Sequence, residues 1–165
     1  MKAAIEHKGP VYLRFGRMAV DSIFEDDYRF EIGKGVVLKD GQDVAIIATG
    51  LMVARALEAA ELLKAEGIDA AVINMACIKP LDNDLVLRYA SQCKAIVTTE
   101  EHSIIGGLGS AVCELVAEQG ICPVVRHGVE DCYGKSGPAL KLLDHFKLNA
   151  EGIAEKARHA VSLKK

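Results

Sequence analysis

Glu100, Glu101 and His102 stand in a row and have the residue types of an acid/base cluster. Neighbouring carboxylates perturb an imidazole and can tune it for proton transfer. A working base must also reach a substrate proton, however, and nothing in the sequence places one here. Directly after them come Gly106, Gly107 and Gly109. Without Cβ atoms these let backbone approach backbone, or a bound anion, closely. A glycine-rich entry to a helix can turn N–H groups toward phosphate. GGxG alone is a weak nucleotide signal, and packing of a helix on a sheet, or an interface, explains it as well.

The remaining reactive side chains point to little chemistry. Cys77, Cys93, Cys113, Cys122 and Cys132 are odd in number and contain no CxxC pair. That favours neither a disulfide framework nor a zinc site. Most lie beside apolar residues, so reduced structural thiols are expected. His7, His127, His145 and His159 lack metal-ligand spacing and are read as surface or structural residues, and no Ser-His-Asp arrangement can be argued.

The cluster needs a strand and a helix to position it. Ala95 to Thr99 reads as a buried strand, Glu100 to His102 as a polar turn, and the glycines as the entry to a helix ending at Gly120. Open α/β sheets place ligands or partners at such carboxyl ends of strands. Upstream, Val11, Leu13 and Phe15 alternate with Tyr12 and Arg14, the period of a half-buried strand. Residues 18–34 have no sustained period and read as a surface connector. The first 34 residues therefore look like the tail of a preceding domain plus a connector, with the regular domain at 35–165.

From Gly35 the pattern alternates strands and helices. GVVLKDGQDVAIIATG reads as two strands joined by a tight hairpin at Asp40-Gly41. LMVARALEAAELLKAEG has apolar residues at helical spacing and stops at Gly67. DAAVINM is nearly all apolar, as a central parallel strand should be. Asp82 is placed to cap the next helix, Ser136 to cap one starting at Pro138, and Asn149 to cap the last, AEGIAEKARHAVSLKK. The alternation predicts a mostly parallel sheet covered on both faces.

Composition limits the partners. Half the residues are hydrophobic, 26% are charged and the formal net charge is −3. A nucleic-acid partner or a polybasic membrane contact would need a basic face, so neither is expected. No apolar run approaches the roughly 20 residues of a membrane span. The amino terminus lacks the apolar core of a signal peptide, and a cytoplasmic location is expected.

Five blocks carry a resemblance when taken in order: GPVYLRFGR, DVAIIATGLMVARALEAAELL, VINMACIKPLD, VTTEEHSIIGGLGSAV and GVEDCYGKSGPALKLLDHFKL. Together they cover nearly the whole chain, which resembles the carboxyl-terminal domain of the transketolase family of thiamine-diphosphate enzymes. The resemblance implies a three-layer α/β/α unit with a mostly parallel, five-stranded mixed sheet and one antiparallel edge strand. It also implies that residues 1–34 end a pyrimidine-binding domain and that residues 35–165 are the transketolase C-terminal domain.

By the same resemblance, thiamine diphosphate and Mg²⁺ belong to the intact enzyme and are held by domains absent here, because no Gly-Asp-Gly segment is present. None of these residues is then catalytic, no metal is bound, and the chain alone is expected to be inactive. Arg17 closes the P-x-x-x-R-x-x-R block, and the resemblance places it against the sugar-phosphate substrate, a role that suits the fixed fork of a guanidinium. Its alternative is a surface arginine paired with Asp26 or Asp27, with Arg14 as the structural partner. Glu100, Glu101, His102, Gly106, Gly107 and Gly109 become interface residues, at the junction with a homodimer partner or complementary subunit. The sequence departs from the usual family wording at Ala76-Cys77 and Cys132-Tyr133. The expected activity is ketol transfer between sugar phosphates in the pentose phosphate pathway. The alternatives are deoxyxylulose-phosphate synthase, a docking module like that of 2-oxoacid dehydrogenase β subunits, and a nucleotide-binding doubly wound domain.

Overall fold

The computed structural model describes residues 1–20 and 22–164. Asp21, in the expected connector, and Lys165, at the end of the expected last helix, lie outside the described residues. After a short helix α1 (Lys2–Glu6), the regular elements are β1 (Val36–Lys39), β2 (Val44–Ala48), α2 (Met52–Ala65), β3 (Ala70–Asn74), α3 (Asn83–Cys93), β4 (Ile96–Ser103), α4 (Leu108–Gln119), β5 (Val124–Val129), α5 (Ala139–His145) and α6 (Ala150–Ser162). They build one five-stranded sheet in the order β1-β3-β2-β4-β5. The last four strands of that order are parallel, and β1 runs antiparallel to β3 at the edge.

The central strands have no polar face. All residues of β2 and β3 are buried, because each strand is covered from both sides and each apolar side chain has a layer to enter. Period-2 alternation divides them. Val44, Ile46 and Val72 meet Ala56, Ala60 and Leu63 of α2 and Ile153, Ala154 and Ala157 of α6. Ala45, Ile47 and Ile73 meet Val86, Tyr89 and Ala90 of α3 and Leu108, Val112 and Val116 of α4. The result is the expected three-layer α/β/α architecture. Burying one of these isoleucines contributes about 1.5–3 kcal/mol.

Two of the expected caps form. Asp82 accepts the Leu85 N–H at 3.2 Å and also the Gly35 N–H at 3.1 Å, so it starts α3 and fixes the entry to β1. Asn149 accepts the Gly152 N–H at 3.0 Å at the start of α6. The third does not form. α5 begins after Pro138, whose ψ of 135° is not helical, and no side chain caps it.

Three further expectations are corrected. The Asp40-Gly41 hairpin is absent, since β1 pairs with β3 and not with β2. The chain instead crosses the amino end of β3, where Gln42 and Asp43 donate their N–H groups to the Asp69 carbonyl. A Cβ on Gly41 would collide with the Ala70–Ala71 backbone, so this glycine permits a crossing and not a turn. Asp40 anchors the crossing by accepting from the Tyr89 hydroxyl at 2.9 Å and the Gln92 amide at 3.0 Å. β1 takes the edge because it is only half-buried, whereas β3 is buried throughout and lies between β1 and β2.

The run 11–17 is not a strand. Its alternating apolar side chains have no neighbouring strand to pair with among the described residues, and Phe15 stays 73% exposed. Finally, β4 does not end at Thr99 but continues through Glu100, Glu101 and His102 to Ser103, which pairs with Val129 beyond an irregularity.

Gly41→Val is expected to lower stability by about 1–3 kcal/mol through overpacking against β3. Urea unfolding of the two chains measures this, and an unchanged midpoint would contradict the close crossing.

Candidate functional site

Loops that follow the parallel strands gather at their carboxyl ends. The strand order reverses between β2 and β4, since β3 lies on one side of β2 and β4 on the other. A doubly wound sheet opens its crevice at such a point. Here the carboxyl end of β4 and the amino terminus of α4 line it.

The α4 terminus is already filled from within. Glu100 alternates with Ile96 and Thr98 onto the α4 face of β4, and it is only 2% exposed. Its carboxylate accepts the Leu108 N–H at 2.9 Å and the Gly109 N–H at 2.8 Å. These are two of the free donors that a helix presents at its start, and the negative charge suits the positive end of the helix dipole. A Cβ on Gly107 would overlap the Glu100 carboxylate, and one on Gly109 would press on Thr98 Oγ1 and the Arg126 stem. The glycines therefore admit an internal carboxylate and a close strand. The Leu108 and Gly109 N–H groups are thereby taken by a carboxylate of the chain itself and not by a nucleotide phosphate.

The six residues read as an interface divide. Glu100, Gly107 and Gly109 are buried, Glu101 is half-buried, and His102 and Gly106 are exposed. The surface of this edge thus consists of Glu101, His102 and the 104–106 loop. Arg126 braces that loop by donating Nη1–H to the Ile104 carbonyl at 2.8 Å. Ile105 projects from it into solvent.

The amino-terminal segment lies against the same edge. Arg14 donates to the Glu101 carbonyl at 3.1 Å, and Gly16 passes beside the Glu101 carboxylate. Arg17 is exposed. Among the described residues it has no carboxylate partner within salt-bridge distance, neither Asp26 nor Asp27.

Nucleophilic chemistry finds no support. Burial pushes the Cys93 thiol up to about 11 and raises those of Cys113 and Cys122, so these thiols stay protonated at neutral pH. Cys132 alone is exposed. Two residues were under-read in the sequence. Glu100 looks like one of a polar trio, yet its even-numbered place after Ile96 and Thr98 marks it as inward-facing. His127 sits between Val125 and Val129 on the apolar face of β5, and the same alternation marks it as buried.

Comparison with known proteins gives a consistent result. A family model described as "Transketolase, C-terminal domain" matches residues 33–153. The chain is 44% identical over 159 residues to a protein named "Putative transketolase C-terminal section" from Methanocaldococcus jannaschii, covering 94% of this chain and 49% of that protein. It is 41% identical over 161 residues to a 1-deoxy-D-xylulose-5-phosphate synthase from Heliobacterium modesticaldum, covering 96% of this chain and 25% of the synthase. A solved structure described as "Split gene transketolase, inactive beta4 tetramer" superposes with a TM-score of 0.96 at 49% identity, covering 99% of this chain and 54% of that one. The chain thus spans half or less of the length of these curated relatives.

Glu100→Ala leaves two buried N–H groups without an acceptor and is expected to cost about 1–3 kcal/mol. Glu100→Gln, which keeps one acceptor oxygen, should cost less. Guanidinium unfolding checks both, and wild-type stability in Glu100→Ala would show that the carboxylate is not the cap.

Proposed function

Because this chain belongs to the transketolase C-terminal domain family, we propose that it works as the third domain of a transferase that moves a two-carbon ketol unit between sugar phosphates. The match of nearly all of this chain to about half of a split-gene transketolase chain supports this reading most directly. Residues 1–34 are then the tail of a pyrimidine-binding domain with its connector, and residues 35–165 form the C-terminal domain. The unpaired apolar run at 11–17 is consistent with this, because such a strand belongs in a sheet built by another domain.

Enzymes of this family depend on thiamine diphosphate and Mg²⁺, and the residues of this chain do not fit either group. At the start of α4 the Leu108 and Gly109 N–H groups already carry the Glu100 carboxylate, whose negative charge would repel a diphosphate. Among the described residues no three His, Cys, Asp or Glu side chains converge on a metal position. We therefore assign both groups to domains or a subunit outside this chain, and we derive no step through them. The work left to this chain is positional. Glu101, His102 and the 104–106 loop form the junction with a homodimer partner or complementary subunit, and Arg17 reaches from the edge to the substrate phosphate. We place the enzyme in the cytoplasm, acting on pentose phosphates. The similarity to a deoxyxylulose-phosphate synthase favours a sister reading, in which the same domain serves condensation to deoxyxylulose phosphate.

Combining this chain with polypeptide that carries the cofactor domains should give ketol transfer, whereas the 165-residue chain alone should give none. In the assembled enzyme Arg17→Ala is expected to raise KM for the sugar phosphate roughly tenfold or more, the scale of a lost charge-assisted hydrogen bond. Turnover by the chain unaided, or an unchanged KM in Arg17→Ala, would contradict the reading. Deoxyxylulose phosphate as the product would select the sister enzyme.

A further inference from the structure

The amino-terminal run has the pattern of a strand, and nothing else in the chain completes it. Val11, Tyr12, Leu13, Arg14 and Phe15 are all exposed. Among the described residues none of the five makes a backbone–backbone hydrogen bond. In an extended run Val11, Leu13 and Phe15 line one side, and Tyr12 and Arg14 the other. Free N–H and C=O groups beside apolar side chains are a template for another strand. The run is also held in place. Arg14 donates to the Glu101 carbonyl, and just downstream Met18 and Ile23 pack against the aliphatic core. Little further ordering is then lost when a partner arrives.

We propose that Val11–Phe15 is a self-recognition strand, through which two copies of this chain pair antiparallel about a twofold axis at Leu13. The residues favour this occupant. Directly opposite residues of an antiparallel pair share one side of the ribbon. With the axis at Leu13, Val11 meets Phe15 of the second copy and Leu13 meets its own counterpart. On the other side Tyr12 meets Arg14 of the second copy. Every residue thus finds complementary chemistry: an aromatic against a β-branched side chain, leucine against leucine, and a guanidinium against a phenol ring.

Other registers are poorer. An axis at Arg14 sets two guanidinium groups opposite each other, and like charges there are destabilising. An axis at Tyr12 leaves Arg14 opposite Pro10 and Phe15 opposite Gly9. A shift by one residue turns the apolar side of one copy against the polar side of the other. In the Leu13 register Pro10 falls opposite Gly16, and without an N–H it ends the pairing there. Arg14 keeps its bond to the Glu101 carbonyl, since a guanidinium has donors to spare and a face to stack. Antiparallel pairing sends the two chains onward from Gly16 in opposite directions, which places the two domains at opposite ends of the ribbon.

This inference goes beyond the ketol-transfer reading and does not need it. A sheet supplied by another domain would use the same backbone groups, so that pairing and self-pairing exclude each other. Five residues from each copy make a small interface, and a two-stranded ribbon is marginal, so the dimer is weak and concentration-dependent.

Sedimentation velocity of the 165-residue chain tests the proposal. From about 10 µM to about 1 mM, the range of a weak interface, monomer should give way to dimer. Leu13→Lys sets two ammonium groups opposite each other on the axis and should weaken the dimer roughly tenfold or more. Leu13 is 44% exposed, and an unchanged circular dichroism spectrum checks that the fold is kept. The register has its own readout. Under mild oxidation Leu13→Cys, with its two sulfurs facing across the axis, should form a disulfide-linked dimer faster than Tyr12→Cys. It should also outpace the wild-type chain, where exposed Cys132 sets the background. A chain that stays monomeric throughout, an equally strong dimer in Leu13→Lys, or no faster linking in Leu13→Cys would each overturn the proposal, and none of them bears on ketol transfer.

Discussion

A buried carboxylate holds the carboxyl end of β4 to the start of α4. Glu100 leaves the end of β4 and lies across the amino terminus of α4, binding two backbone N–H groups there. Burying a carboxylate is costly unless donors replace its lost water. Here the helix start supplies the donors and the dipole supplies the favourable field. The glycines at 107 and 109 follow from this contact, because the carboxylate and the neighbouring strand occupy the volume that side chains would fill. A loop that could cradle a ligand phosphate is used instead as an internal joint.

That joint fixes the form of the surface beyond it. With Glu100 turned inward, Glu101, His102 and the 104–106 loop remain outside, and Arg126 braces the loop from below through the Ile104 carbonyl. The amino-terminal segment rests on the same edge through Arg14. Its apolar residues Val11, Leu13 and Phe15 stay largely in solvent. The edge thus combines a joint closed from within, an exposed imidazole at His102 and an apolar segment left in solvent.

The two faces of the sheet contribute differently. On the α3 and α4 face, polar side chains serve as anchors: Asp82 for α3, Glu100 for α4 and Asp40 for the crossing over β3. On the α2 and α6 face the packing is largely aliphatic and rich in alanine, and one histidine is its principal buried polar contact to the α5–α6 turn. A neutral imidazole suits that place, because it offers one donor and one acceptor without a charge to bury.

Much of this could be read from residue order alone. Apolar runs at Val44–Ala48 and Ala70–Asn74, helical spacing in α2, and the capping residues Asp82 and Asn149 determined a mostly parallel sheet covered on both faces, since they express local backbone preference and burial on two sides. The blocks of residues that carry the family resemblance did the same for ancestry. Pairing was decided only by the tertiary structure. Asp40-Gly41 has the residues of a hairpin, but β1 crosses to β3 and takes the edge, a pairing between segments distant in the chain that local residue types do not specify. The run at 11–17 alternates like a strand and yet forms none, because a strand is completed by hydrogen bonds from a neighbour that its own sequence does not contain. The inward turn of Glu100 and the burial of His127 were likewise settled by what packs above each strand: a carboxylate and an imidazole look like surface chemistry in a sequence until a helix start and a backbone carbonyl arrive to bind them.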